Sequence, residues 1–253
     1  MPQRITGHTE LIGLIATPIR HSKSPMMHNT AFEALGLDYA YLAFDFQPDR
    51  LEDAVKGLKA LGAKGWNVSM PYKTDIIPLL DEISEVSRLC ESVNTVINRD
   101  GKLYGTVTDG TGYMSALADQ GFDIKGKKMT VLGCGGAATA ICIQAALDGV
   151  KEISIFNAND SFFHRAEENA AKINANTDCV AHAYPLEDTE RLRAEIASSA
   201  LLANATNVGM GKLEGVSLIT DKTMLRPDLI CTDVIYTPEE TAFLKLAREA
   251  GCP

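Results

Sequence analysis

Apolar and polar segments alternate along the chain in a way that predicts an α/β protein. The apolar run Leu11–Thr17 ends at Pro18 and is typical of a strand. An aromatic-rich strand is predicted over Tyr39–Phe46. From Asp49 to Leu61, apolar residues recur at positions 51, 54, 55, 58 and 61, which is the spacing of a helix buried on one face. The first part of the chain therefore begins as alternating strands and helices.

Shorter elements are predicted before residue 109. A helix follows Pro25 and ends at Gly36, and a strand from Gly65 breaks at Pro71. The remaining segments are two short helices and a hairpin-like passage, at Asp75–Leu80, Ile83–Leu89 and Ser92–Gly105.

A more regular rhythm begins after the polar junction Lys125–Lys128. Strands are predicted at Met129–Leu132, Glu152–Phe156, Cys179–Tyr184, Leu201–Ala203 and Leu229–Cys231. Helices are predicted at Ala138–Leu147, Phe162–Ile173, Leu186–Ser198 and Glu239–Ala250. Strands that alternate with helices indicate a doubly wound parallel sheet. We expect two domains: an α/β domain at residues 1–108 and a nucleotide-binding, Rossmann-type domain at residues 109–253.

The turn after the first strand of the second domain resembles a dinucleotide fingerprint. It reads Gly-Cys-Gly-Gly-Ala-Ala from Gly133 to Ala138 and lies between a strand and a helix. Gly133 permits the sharp turn, Gly135 lets the backbone approach a pyrophosphate, and Ala138 keeps the helix close to the strand. The alternative is a glycine-rich packing turn in an ordinary βαβ unit.

Composition narrows the functional classes. The chain has 253 residues, 45% hydrophobic and 23% charged, with a formal net charge of −9. The acidic balance argues against nonspecific nucleic-acid binding. No apolar run is long enough for a membrane helix, and no secretory leader is visible at the start. Six cysteines without metal-binding spacing are typical of reduced thiols, so we expect a cytoplasmic protein with no metal site.

The end of the second nucleotide-domain strand indicates which dinucleotide is bound. Asp160 is the charged residue of the turn that begins at Asn157, and no arginine occurs before Arg165, inside the next helix. A carboxylate here accepts hydrogen bonds from the adenosine ribose and repels a 2′-phosphate. We therefore expect NAD, with NADP less favoured. The alternative is that Asp160 only caps the following helix.

A dinucleotide fold implies hydride transfer, which needs a group that moves a proton at the reacting oxygen. Lys73 follows a strand end, and Asp109 precedes a helix, but spacing alone does not pair them. Ser22 and Ser24 lie two residues apart before Pro25. Ser24 is equally compatible with a simple N-cap.

The chain resembles the shikimate dehydrogenase family along essentially its whole length, and most closely the quinate/shikimate dehydrogenase branch. The resemblance is carried by short motifs that occur in the same order. They are Ser22–Pro25 with His28 and Asn29, Asn67–Pro71 with Lys73, Val93–Thr95, Thr108–Gly110, Gly133–Ala137, Asn204–Thr206 with Gly209 and Met210, and Asp233 with Tyr236–Pro238.

The resemblance implies a role for each motif. Ser22, Ser24 and Tyr236 would hold the substrate carboxylate, and Lys73 and Asp109 would be the catalytic pair. Ser69 and Asn94 would hold ring hydroxyls, and Tyr41 would line the substrate pocket. The implied cofactor-binding residues are Gly133, Cys134, Gly135, Gly136, Ala137, Asn157, Asp160, Asn204, Thr206, Asn207, Val234 and Tyr236. A homodimer is compatible with the family.

Two departures from the family pattern leave alternatives open. The family usually has a polar residue where Val107 stands, so the loop that holds Asp109 is expected to be supported differently. Family members also continue past the position of Pro253 with a segment that returns to the first domain. The expected activity is reversible oxidation of shikimate by NAD, with quinate as a further substrate. The alternatives are a dehydrogenase of a related acid such as aminoshikimate, or a dinucleotide-binding sensor without catalysis.

Overall fold

The computed structural model describes residues 5–253. The chain forms two compact units, which meet in sequence between Thr108 and Asp109. Each unit has its own sheet and its own buried core. Every helix in the described part is too short or too polar to cross a bilayer.

The first unit contains a mixed sheet. Its elements are β1 (Glu10–Ala16), α1 (Ser24–Leu35), β2 (Tyr39–Asp45), α2 (Leu51–Ala60), β3 (Gly65–Val68), β4 (Glu82–Ile83), α3 (Glu85–Cys90), β5 (Thr95–Arg99) and β6 (Lys102–Thr106). The strand order is β2-β1-β3-β5-β6-β4. β1 runs parallel to β2 and β3, whereas β5 is antiparallel to both β3 and β6. The buried Trp66, Tyr72 and Ile76 lie in its core.

The second unit contains a parallel sheet. Its elements are α4 (Asp109–Asp119), β7 (Lys128–Leu132), α5 (Gly136–Leu147), β8 (Glu152–Asn157), α6 (Phe163–Asn176), β9 (Val180–Pro185), α7 (Thr189–Ser198), β10 (Leu201–Asn204), β11 (Ile230–Asp233) and α8 (Ala242–Glu249). The strand order is β11-β10-β7-β8-β9, so β8 and β9 lie on one side of β7, and β10 and β11 lie on the other. The chain therefore changes sides of the sheet between β7 and β10. That point is where doubly wound sheets bind nucleotides. The predicted fold class is confirmed.

Several predicted boundaries in the first unit were wrong for local reasons. The helix predicted over Asp75–Leu80 is only a 3₁₀ turn, Ile77–Leu79, since Pro78 supplies no backbone N–H. The helix predicted from Ile83 begins at Glu85, because Ser84 caps it by accepting from Ser87 N at 3.1 Å. The two residues before Ser84 instead pair with β6.

Capping side chains also displaced two predicted helix starts in the second unit. α7 begins three residues after the predicted Leu186, because the Asp188 carboxylate accepts from Arg191 N at 3.0 Å. α8 begins at Ala242 rather than Glu239, since the Thr241 hydroxyl accepts from Leu244 N at 3.2 Å. In both cases a capping side chain, rather than the apolar pattern, sets the boundary.

Candidate active site

The loops that follow β1 and β3 lie side by side at one edge of the first sheet. Ser69 N donates to Ile15 O at 3.0 Å, and Thr17 N donates to Met70 O at 3.2 Å. Since β1 and β3 are parallel, their carboxyl ends meet at this edge. The residues predicted to bind substrate after these two strands are therefore brought into one region.

Ser22 and Ser24 stand at the start of α1. The helix begins at Ser24 itself, the preceding Lys23 is the N-cap residue, and no side chain caps this helix. The alternative interpretation of Ser24 as an N-cap is therefore wrong. Ser22 Oγ instead accepts from Ser24 N at 3.2 Å. Two hydroxyls at the positive end of a helix dipole form a suitable place for a carboxylate.

Lys73 lies next to the segment that carries Asn94. Its carbonyl accepts from Val93 N at 2.8 Å. The neighbouring Tyr72 is fully buried, stacks on Phe46 with ring centroids 4.9 Å apart, and donates its hydroxyl to Phe46 O. The lysine backbone is therefore fixed, while its half-buried side chain remains accessible.

Asn94 supports the segment that leads to Asp109. Its Oδ1 accepts from Thr108 N at 3.0 Å and from Thr108 Oγ1 at 3.2 Å. The side chain of Val107 is buried and cannot donate or accept a hydrogen bond. In this chain the contact between Asn94 and Thr108 supports the segment, and a replacement of support by Val107 stays a prediction.

Asp109 is the first residue of α4, where the helix dipole stabilises a carboxylate. The next residue, Gly110, lies against α5. A Cβ built on Gly110 would lie 2.2 Å from Ala140 O and 2.6 Å from Gln144 Cβ. The absence of a side chain at Gly110 therefore sets how closely α4 approaches α5, and with it the position of Asp109.

Tyr41 does not present its hydroxyl to a ligand. The side chain is 1% exposed, and its hydroxyl donates to Asn67 Oδ1 at 2.7 Å. Its ring stacks on His28 with centroids 4.3 Å apart. Burial raises the pKa of Tyr41 to about 12. Tyr41 lines a cavity of the first unit together with Pro25, Met26 and Asn29, and its hydroxyl supports Asn67, so its role in the substrate pocket stays a prediction.

A cleft of about 530 Å³ lies at the switch point of the second sheet. Seven of the predicted cofactor-binding residues line it: Gly133, Cys134, Gly135, Asn157, Asp160, Thr206 and Asn207. Phe156, Ala158, Phe162, Arg165, Leu186 and Val208 are also among its lining residues. The cleft has room for part of a dinucleotide, with apolar walls and few polar groups, as ligand pockets usually have.

The glycine turn fits a pyrophosphate. Gly133 has φ +109°, and a Cβ there would lie 2.9 Å from Ala205 O, so a glycine is required. Gly135 is the extended N-cap of α5, and no side chain caps that helix. The exposed Gly136 and Ala137 form its first turn. The backbone N–H groups of this turn therefore suit an anion.

Asn204 has a supporting role rather than the predicted contact with cofactor. It is 3% exposed, its Nδ2 donates to Val208 O and Asp233 Oδ2, both at 3.1 Å, and its Oδ1 accepts from Thr206. All of its amide groups are thus used within the protein. Asn204 fixes the loop that forms one wall of the cleft.

The remaining predicted residues of the second unit lie at or outside the rim of the cleft. Val234 follows β11, and its N–H donates to Asn204 O at 3.1 Å, but it does not line the cleft. Tyr236 is 87% exposed and does not line it either.

Cys134 is 3% exposed, and burial raises the pKa of its thiol, with a smaller opposite effect of Arg165. A neutral buried thiol is unreactive, which favours its interpretation as a small packing residue.

Comparisons with known proteins agree with this geometry. The family model described as "Shikimate dehydrogenase substrate binding domain" matches residues 14–96, all within the first unit. A protein of Listeria monocytogenes serotype 4b (strain F2365) named shikimate dehydrogenase (NADP(+)) is 60% identical over 250 residues, which are 99% of this chain and 86% of that protein. The chain belongs to the shikimate dehydrogenase family.

Two solved structures of this fold, both in complex with NAD, bear on which dinucleotide the family uses. Shikimate 5-dehydrogenase from Listeria monocytogenes, in complex with shikimate and NAD, matches with a TM-score of 0.96 and 59% identity over 100% of this chain and 87% of that one. Quinate dehydrogenase from Corynebacterium glutamicum, in complex with NAD, matches with a TM-score of 0.83 and 28% identity over 96% and 86%. The family thus includes members named for NADP(+) and members solved with NAD.

Arg165 was not among the predicted cofactor-binding residues of this shikimate dehydrogenase family member. It lies in the first turn of α6, yet it lines the same cleft as Asp160. The Asp160 carboxylate accepts from Phe162 N at 2.8 Å, which turns the chain into α6 and leaves a second oxygen for another partner. The cleft therefore contains both a carboxylate and a guanidinium near the expected adenosine ribose.

Proposed function

We propose that the protein catalyses reversible hydride transfer between a nicotinamide dinucleotide and the ring hydroxyl of shikimate, giving 3-dehydroshikimate. The observation that carries this proposal is the grouping of hydroxyl, amide and ammonium side chains at one edge of the first sheet. The 60% identity to a shikimate dehydrogenase supports the choice of substrate. The first unit holds the substrate, and the second holds the cofactor.

Each substrate-binding residue has a role that follows from its chemistry. The hydroxyls of Ser22 and Ser24 donate to the substrate carboxylate at the start of α1, where the helix dipole adds attraction. Ser69 and Asn94 hold ring hydroxyls. Tyr236, exposed in the loop after β11, is assigned to the substrate carboxylate by the family resemblance.

Lys73 and Asp109 form the catalytic pair. The nicotinamide supplies or accepts the hydride. In the reduction direction, the Lys73 ammonium donates a hydrogen bond to the substrate's keto oxygen, stabilises the negative charge that develops there, and gives that oxygen the proton that completes the hydroxyl. Asp109, the first residue of α4, is the second member of the proposed pair at the reacting hydroxyl. A positioned acid of this kind contributes about 10²–10⁴-fold to the rate.

NAD is the preferred cofactor in this proposal. Asp160 follows β8, the strand whose end meets the adenosine ribose, and its carboxylate favours the two free ribose hydroxyls over a 2′-phosphate. Ala158 and Asn159 bring no positive charge to the turn. Arg165 supplies the cation that admits NADP as the weaker alternative.

The test is steady-state turnover of shikimate with NAD and with NADP, repeated with quinate. Asp160→Ala should raise kcat/KM with NADP and lower it with NAD. Arg165→Gln should lower kcat/KM with NADP alone, since only the 2′-phosphate needs the guanidinium. Turnover with NADP far above that with NAD in the parent protein would refute the cofactor preference and leave the reaction standing. No oxidation of shikimate with either cofactor would refute the proposed function.

A further inference from the structure

Asp233 ends β11 directly opposite Asn204, the last residue of the parallel strand β10. Its carboxylate accepts from donors on two loops. Oδ2 accepts from Asn204 Nδ2 at 3.1 Å and from Thr241 Oγ1 at 2.8 Å. Oδ1 accepts from Ile235 N at 3.0 Å. Because Asn204 and Thr241 are buried, water has little access to these bonds. Asp233 therefore joins the loop after β10 to the loop after β11.

The orientation of the Asn204 amide is fixed by groups that have only one hydrogen-bonding character. Val208 O is an acceptor and lies 3.1 Å from one end of the amide, so that end carries the N–H groups. Thr206 N is a donor and lies 3.2 Å from the other end, which is therefore the oxygen. The second N–H of Asn204 Nδ2 is directed to Asp233. The amide thus needs an acceptor at position 233.

The same amide holds one wall of the cleft, the wall loop at residues 205–208. Asn204 Oδ1 accepts from Thr206 Oγ1 at 2.7 Å, and Thr206 Oγ1 accepts from Val208 N at 3.0 Å. A turned Asn204 amide would place its N–H groups against Thr206 N and its oxygen against Val208 O. The wall loop therefore depends on the orientation of this amide, and the amide depends on Asp233.

We infer that Asp233 is a positioning residue for the dinucleotide, which acts through the Asn204 amide on the wall loop. This inference rests on the proposed function, because it takes the cleft of the second unit to hold the cofactor. Asp233 does not itself line the cleft, so its effect on the cofactor is indirect. Loss of its carboxylate should weaken the binding of the dinucleotide more than it slows the chemical step.

A carboxylate satisfies every donor at this point, and an amide of the same shape does not. An asparagine at position 233 has one oxygen and one NH2 group. If its oxygen faced Asn204 and Thr241, its NH2 group would face Ile235 N. The reverse orientation would place the NH2 group against the two side-chain donors. Asp233→Asn therefore keeps the volume of the side chain and leaves a donor facing a donor in either orientation.

Asp221 offers a matched control within the second unit. Its carboxylate accepts from Thr223 N at 2.9 Å and from Thr223 Oγ1 at 2.7 Å, so it also receives both a backbone and a hydroxyl donor. It also forms an ion pair with Arg193. Asp221 does not line the cleft and has no bond to Asn204. Asp221→Asn therefore makes the same chemical change at a place that does not hold the wall loop.

The experiment titrates NADH, and NADPH in parallel, into the parent, Asp233→Asn, Asn204→Ala, the double variant and Asp221→Asn, and also measures KM for NAD, kcat and Tm. Asp233→Asn should raise the dissociation constant of NADH and KM for NAD about tenfold, the loss of one hydrogen bond to a charged group. Its kcat should stay within about threefold, because the wall loop binds the ground state and the transition state alike. Asp221→Asn should leave the dissociation constant unchanged, whatever its Tm.

The double variant tests whether Asp233 acts through Asn204. If it does, the double variant should bind NADH no more weakly than the weaker of the two single variants. Effects that multiply in the double variant would overturn the inference. An unchanged dissociation constant in Asp233→Asn, or an equal rise in Asp221→Asn, would overturn it as well.

A second variant covers the case in which Asp233→Asn does not fold. Asp233→Ser leaves one hydroxyl that can accept and places no NH2 group against the donors, and it should also raise the dissociation constant of NADH. Failure of the parent to bind either dinucleotide would instead defeat the proposed function. Binding by the parent without oxidation of shikimate would defeat the proposed reaction, and the comparison of dissociation constants would still decide the role of Asp233.

Discussion

Replacing Gly110 by alanine places a methyl group in the contact between α4 and α5. The new Cβ would lie 2.2 Å from Ala140 O, with Gln144 Cβ at 2.6 Å and Ala140 C at 2.9 Å. Carbon and oxygen atoms ordinarily approach to about 3.3 Å, so the start of α4 must move by roughly 1 Å. Asp109 is bonded directly to Gly110 and must move with it.

The size of the effect follows from a comparison with Gly112, two residues further along α4. A Cβ on Gly112 meets nothing within 4 Å. Both alanine variants gain about 0.5–1 kcal/mol from the reduced freedom of the unfolded chain. Only Gly110→Ala also incurs the cost of overpacking, about 1–3 kcal/mol. The difference between them therefore isolates the contact with α5.

Thermal unfolding and steady-state kinetics read out the two consequences. The Tm of Gly110→Ala should lie roughly 2–10 °C below that of Gly112→Ala. Its kcat should fall on the order of 10²-fold, since a displacement of about 1 Å at a catalytic group costs that much. Gly112→Ala should retain the parent kcat and raise the Tm by roughly 1–4 °C. A Gly110→Ala variant with the Tm and kcat of Gly112→Ala would refute the claim that this close contact positions Asp109.

Three other substitutions test separate parts of the account. Lys73→Met should lower kcat about 10²–10⁴-fold with the dissociation constant of NAD unchanged, as measured by turnover and titration; near-normal turnover would remove the catalytic role of Lys73. Glu195 is 7% exposed and bonds Lys128, so Glu195→Gln should cost on the order of 3 kcal/mol in urea unfolding; an unchanged midpoint would contradict this. Burial raises the pKa of Tyr41 to about 12, so the folded state keeps the Tyr41 proton up to a higher pH than the unfolded state does. The free energy of unfolding should therefore be unaffected by Tyr41 below about pH 10 and should fall between pH 10 and pH 12 by about 1.4 kcal/mol per pH unit. Tyr41→Phe should remove this fall, and a fall of the same size in that variant would refute the assignment.

Features that depend on local sequence were predictable. The glycine turn at Gly133 and the alternation after Lys128 identified the parallel sheet, because each strand and helix has its own apolar period. The starts of α7 and α8 were not found from that period. They depend on Asp188 and Thr241, whose capping bonds compete with the apolar pattern.

Features that depend on tertiary pairing were not predictable from one sequence. Asn67 and Thr95 meet because β3 and β5 pair antiparallel, and no local pattern encodes that register. Arg165 was set aside because it lies inside the helix that follows the turn, yet it lines the cleft from the first turn of α6. Tyr41 was assigned to the substrate through the family resemblance, whereas its burial is decided by packing against His28. A signal for Thr108 was present, since it immediately precedes Asp109.

The central claim is that this member of the shikimate dehydrogenase family oxidises shikimate with a nicotinamide dinucleotide held at the glycine turn. The most direct test follows the absorbance of the reduced cofactor after shikimate is added, in parallel reactions with NAD and NADP. We expect reduction of the cofactor that depends on shikimate, is faster with NAD, and is lost in Lys73→Met. A protein that binds the dinucleotide but reduces neither cofactor with shikimate would contradict it.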